Sequence, residues 1–96
     1  MVKHIVMWKL KEENREENAK IIKERLEALK AVIPEILHIE VGRNFTDSDM
    51  AYDLALYTEF ESRQDLEVYQ NHPAHKAVAA FVAEVRTARA VADYEK

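Results

Sequence analysis

Between Val2 and Leu10 the chain alternates two sets of positions, Val2, His4, Val6, Trp8 and Leu10 against Lys3, Ile5, Met7 and Lys9. A period of two is that of a β-strand, and because both sets carry apolar residues at their middle the strand is expected to be central and covered on both sides. The polar run from Glu12 to Asn18 leads into a helix whose buried stripe reads Ile22, Leu26, Leu29 and Ile33, with Pro34 stopping it. Ile36 to Val41 reads as a second strand, with Leu37, Ile39 and Val41 on one side and Ile36, His38 and Glu40 on the other. Gly42 is expected to mark a bend or bulge near its end. After the turn-rich NFTDSD segment, Tyr52 to Phe60 predicts a third strand, with Leu54, Leu56 and Phe60 opposite Ala55 and Tyr57. Ser62 followed by Asp65 is a capping signal for a short helix through about Tyr69. Val78, Phe81, Val82 and Val85 then give the stripe of a longer helix, and ARAVADY is a short fourth strand.

The order β-α-β-β-α-β, with the second helical region broken in two, predicts an α+β fold, a ferredoxin-like split βαβ sandwich. Helices can cover only one face of such a sheet. The other face, carrying Ile5, Met7, Ala55 and Tyr57, would be wet in a monomer, so a homodimer that pairs two sheets face to face is expected. Length points the same way. A chain of 96 residues with 48% apolar content makes one domain over residues 1–96 around a single core. A domain of this size buries only about 60 to 65% of the surface of its unfolded chain, which leaves apolar surface for a partner subunit.

Composition removes several classes of function. The formal charge is −4 with acidic and basic residues mixed, so no basic patch for nucleic acid is expected. Without cysteine there is no disulfide framework, thiol nucleophile or thiolate metal site, which fits a cytoplasmic protein. The opening MVKHIVMWKLK alternates and is followed by EENREEN, so it does not read as a signal peptide, and no segment is long enough to span a bilayer.

Chemistry concentrates in YQNHPAH, residues 69–75, which holds two of the four histidines. Pro73 suits the first position of a helix and pushes His72 out of helical conformation, so the long helix starts here with His72 flanking it. His75 then falls in the first turn, on the stripe of Val78, Val82 and Val85, with its imidazole towards the sheet. The partial positive charge of a helix N-terminus and partial burial both favour the neutral ring, which can accept a proton. Tyr69 can offer its hydroxyl to the same space. His4 shares a side with Val6 and Trp8, and the matching apolar face of the third strand places that side against the helices. His4, Tyr69 and His75 are thus expected to converge in an apolar pocket able to do general acid–base chemistry on a carbonyl compound.

MVKHIVMWKLK, IPEILHIEVGRNF, YQNHPAHKAV and the closing ADYE together resemble the stress-responsive A/B barrel family, often called Dabb proteins. The resemblance covers nearly the whole chain and implies a dimeric α+β barrel. A plant member of the family closes a linear polyketide thioester by intramolecular aldol condensation without a cofactor. Its acid–base pair is similar to Tyr69 and His75, and its N-terminal strand histidine is similar to His4. Where that enzyme carries a pocket tyrosine on the first helix, this chain has Leu26.

Each candidate also has a plainer reading. His75 can bond a backbone group and fix the start of its helix, His72 can be a cap, His4 a satisfied core residue and Tyr69 a packed ring. Trp8 and Phe81 read first as core, and KEENREENAKIIKER as a solvated helix face. His72 and His75, with or without His4, invite a metal reading, but the motif contains no carboxylate, and a single histidine gives little ground for haem. The expectation is a cofactor-free homodimer that binds a small organic molecule, with no nucleic acid or membrane partner. In its catalytic form His75 is the base, Tyr69 the donor to the carbonyl oxygen and His4 the positioning residue, in a lyase or cyclase type of reaction. The alternative is a non-catalytic, stress-related binding or interaction dimer.

Overall fold

The alternation that opens the sequence becomes β1 (Val2–Leu10), the strand on which the sheet is assembled in a computed structural model describing all 96 residues. Helix α1 (Arg15–Ala28) follows, then β2 (His38–Arg43), β3 (Leu54–Phe60), α2 (Arg63–Asn71), α3 (Pro73–Val85) and β4 (Arg86–Glu95). The sheet order is β2-β3-β1-β4 with every pair antiparallel, and the helices lie on one face, which is an α+β, ferredoxin-like fold. No helix is long and apolar enough to cross a membrane.

Burial follows the two-residue period. Val2, His4, Val6, Trp8 and Leu10 are all buried against the helices, with Leu54, Leu56, Thr58 and Phe60 of β3 beside them. From the helical side come Ala19, Ile22 and Leu26 of α1, Leu66 and Tyr69 of α2, and Val78 and Val82 of α3. The opposite face is less covered: Lys3, Ile5 and Lys9 are half-buried and Met7 is exposed, so within one chain β1 is fully covered on a single side.

Five expectations shift, the first being that β3 starts at Leu54, two residues after Tyr52. The α-helix ends at Ala28 rather than running to Pro34, and a 3₁₀ turn over Leu29–Ala31 carries the stripe onward. The N–H groups of Val32 and Ile33 both donate to the Leu29 carbonyl, at 3.0 and 2.9 Å, so Leu29 and Ile33 stay buried while the chain tightens ahead of the proline. Strand β2 starts at His38, two residues later than expected. Ile36 drops into the core from a turn, and Leu37, though its N–H reaches the Glu59 carbonyl, is 44% exposed rather than sharing the covering of Val41.

Gly42 is neither bend nor bulge. It pairs regularly with Ala55, without positive φ, and has nothing within 4 Å of where a Cβ would stand. The irregularity in the sheet lies instead between β1 and β4, where Lys9 pairs with Ala88 but Leu10 with Arg86, so that Thr87 is the extra residue. Finally, β4 is the longest strand, ten residues that leave α3 with no intervening loop. Its many alanines hide both its length and its phase from sequence periodicity.

Candidate functional site

His72 ends one helix and starts the next. At φ −67° and ψ 134° it is extended, as a residue before proline must be, and its Nδ1 accepts the N–H of Ala74 at 3.0 Å. Pro73 occupies the first turn of α3, where its missing N–H costs no helical bond. Ser62 does the same service for α2, its Oγ accepting from Asp65 N–H at 3.1 Å. With both helix starts held, the position of His75 follows.

The His75 ring turns back towards the end of α2, and its Nδ1 lies 3.2 Å from the Gln70 carbonyl oxygen. A carbonyl only accepts, so Nδ1 carries the hydrogen and Nε2 keeps a free lone pair. Burial pushes the pKa of His75 below its ordinary value near 6.5. The bond to Gln70 opposes that shift, and the nearby His4, Arg89 and His72 add to it. The ring is a neutral base.

Tyr69 packs directly on it, with ring centroids 4.4 Å apart, and against Phe60 at 5.0 Å on another side. Its hydroxyl is fully buried and has no hydrogen-bond partner, and burial raises its pKa, so it stays a phenol. His4 meets the edge of Tyr69 at 6.1 Å, so the three rings lie together. His4 is 2% exposed, and its Nδ1 is 2.5 Å from Oδ1 of Asp93, directly opposite it in the β1–β4 register.

A cavity of about 130 Å³ opens beside these rings. Val6 and Trp8 of β1, Leu26 of α1 and Val82 of α3 form its apolar wall, and His4, Gln70, His75, Arg86 and Arg89 supply polar groups. Tyr69 does not line it. The ring stands behind His75 with its hydroxyl sealed from the open space, which separates it from the two histidines that face the cavity. No three His, Asp or Glu side chains come together as a group able to hold a metal ion, and the His72 Nδ1 is already engaged as a cap.

Asp93, Arg86 and Arg89 escape sequence reasoning. All three stand on β4, and only the cross-strand register shows which of its residues face His4 and Trp8. Asp93 lies within the ADYE segment, but a carboxylate near a chain end carries no sign of its partner 89 positions away.

Fold and site together define a ferredoxin-like α+β protein with a histidine-lined cavity between its sheet and helices. The chain belongs to the stress-responsive A/B barrel (Dabb) family, whose domain matches residues 2–96. An uncharacterized protein of Streptomyces coelicolor is 31% identical over 99% of both chains. A dimeric protein with a ferredoxin-like fold from Bacteroides fragilis is 39% identical, covers 99% of this chain and 95% of its own, and superposes with a TM-score of 0.84. The hydroxynitrile lyase of Passiflora edulis shares the fold, with a TM-score of 0.86 at 20% identity over 97% of this chain and 90% of its own.

An orphaned hydroxyl in the core should be a liability. Replacing Tyr69 by Phe keeps the ring packing and removes a buried donor, which is expected to raise stability by about 1 kcal/mol, a gain of roughly 4 to 8 °C in melting temperature. A loss of stability on thermal denaturation at fixed protein concentration would show that the hydroxyl has a partner in solution. His75 gives a pH signature. Because its folded pKa lies below its unfolded one, its contribution to stability is complete above about pH 6.5 and is lost as pH falls towards the folded value. Urea denaturation of wild type and His75→Gln between about pH 8 and about pH 5 should show the shallower acid decline in the variant. Parallel declines would mean that the ring titrates as it does in the unfolded chain.

Proposed function

We propose that this protein is a cytoplasmic homodimer whose subunits each bind a small carbonyl compound and shift a proton on it without a cofactor, as a lyase or cyclase would. The observation that carries this reading is the His75 tautomer: Nδ1–H is tied to Gln70, and a neutral ring lines a cavity with Nε2 unbonded. Such a ring can take a proton from the carbon next to a carbonyl. The balancing proton goes to the carbonyl oxygen and comes from a ring N–H of His4, which also lines the cavity and whose ring Asp93 holds through Nδ1.

Tyr69 takes a different part from the one its resemblance implies. With its hydroxyl sealed, it acts as a positioning residue that fixes the plane of His75, and His4 becomes the proton donor. A cavity of about 130 Å³ is well below the few hundred typical of drug-sized ligands, which favours a small carbonyl compound over an extended polyketide chain. Leu26, in the cavity wall, makes that side apolar. The Passiflora edulis hydroxynitrile lyase, which shares this fold, supports a lyase reading.

Deuterium uptake next to the carbonyl of 2-butanone, cyclohexanone or acetophenone, followed by NMR in heavy water, tests the chemistry. Wild type should accelerate it, and His75→Ala should lose roughly a hundredfold to ten-thousandfold of that acceleration. Equal rates in the two proteins, with binding retained, would leave the non-catalytic binding dimer as the function.

The homodimer rests on the open face of the sheet. Ile5, Met7, Ala55 and Tyr57 gather there, and Glu59 accepts from both Lys3 and Tyr57, so polar groups on that face are already paired. The Bacteroides fragilis relative is a dimer. Met7→Asp, which puts a charge at the centre of this face, is expected to convert the dimer to monomer at micromolar concentration by light scattering. A wild type that is monomeric, or a variant that stays dimeric, places the interface elsewhere.

A further inference from the structure

Beside the two histidines the cavity holds a second pair of charges that the proton shift does not use. Arg86 and Arg89 both line it, and neither takes part in an ion pair or side-chain hydrogen bond. The other acids on this side of β4 are committed, Asp93 to His4 and Glu95 to Arg63.

Their placement depends on the one irregularity of the sheet. Residues three apart on a regular strand point to opposite faces. Pairing is regular from Val2 and Glu95 as far as Lys9 and Ala88, with Arg89 opposite Trp8, and it then skips Thr87 so that Arg86 lies opposite Leu10. Trp8 and Leu10 share the buried face of β1, so the bulge returns Arg86 to the same face as Arg89. Without it, Arg86 would fall on the open face with Ala88 and Ala90.

Two arginines with no ion-pair partner on one small cavity repel each other, and Arg89 also disfavours the protonated form of His75. An anion between them relieves that repulsion, and the planar fork of a guanidinium matches a carboxylate in particular. We propose that the ligand is a small oxo acid, its carboxylate held by Arg86 and Arg89 and its carbonyl turned towards His75 and His4. The carbonyl half rests on the function proposed above, and the carboxylate half stands on the arginine pair.

Titration calorimetry of the full-length protein with acetoacetate, 2-oxobutanoate and the methyl ester of each provides the test, repeated at raised salt and with Arg86→Gln, Arg89→Gln and the double variant. Both side chains reach solvent, so the variants should melt close to wild type. The acids should bind about tenfold or more tightly than their esters, each substitution should remove about tenfold of acid affinity, and salt should weaken the acids alone. Esters binding as well as acids, an acid preference that survives in the double variant, or no binding by any of these probes overturns the proposal. Arginine-dependent acid binding with no deuterium uptake next to the carbonyl keeps the anion site and removes the catalysis. Equal uptake on acids and neutral ketones in wild type and double variant does the reverse.

Discussion

The break between α2 and α3 is the constraint from which the site follows. A proline at position 73 disfavours the helical conformation at His72, which is extended, and the chain ends one helix and begins another within that single residue. Two hydrogen bonds span that junction: His72 accepts the N–H of Ala74, and His75 donates to the carbonyl of Gln70. The second bond chooses the tautomer of His75. The junction is a structural device that also leaves one nitrogen lone pair of His75 unused in a half-buried place.

That junction would be idle without the sheet beneath it. β1 sits between β3 and β4, and its buried set supplies His4, Val6 and Trp8 to the floor of the cavity. Cross-strand pairing brings Asp93 to His4, and the bulge at Thr87 brings Arg86 round to the side of Arg89. A buried imidazole beside a carboxylate, a neutral imidazole and two unpaired guanidinium groups surround one small space.

Tyr69 combines good packing with an unsatisfied polar atom. Its ring fills the core between Phe60 and His75, yet its hydroxyl is buried without a partner, an arrangement that costs folding free energy. A phenylalanine would pack as well.

Periodicity in the sequence determined the element types, the helix-facing side of β1 and β3, and the break at Pro73, because each depends on neighbours within a few residues. The inward aim of His4 and His75 was legible for the same reason: both lie on stripes whose apolar members point to the core. Tertiary structure alone decided the rest. Gly42 turned out regular and Thr87 irregular, Ile36 entered the core from a turn, and Asp93, Arg86 and Arg89 reached the cavity. Those outcomes are set by the register of β4 against β1, a pairing between the two ends of the chain, and a shift of one residue there exchanges one face of the strand for the other. Local pattern cannot encode that choice, because it is made only when the two strands meet.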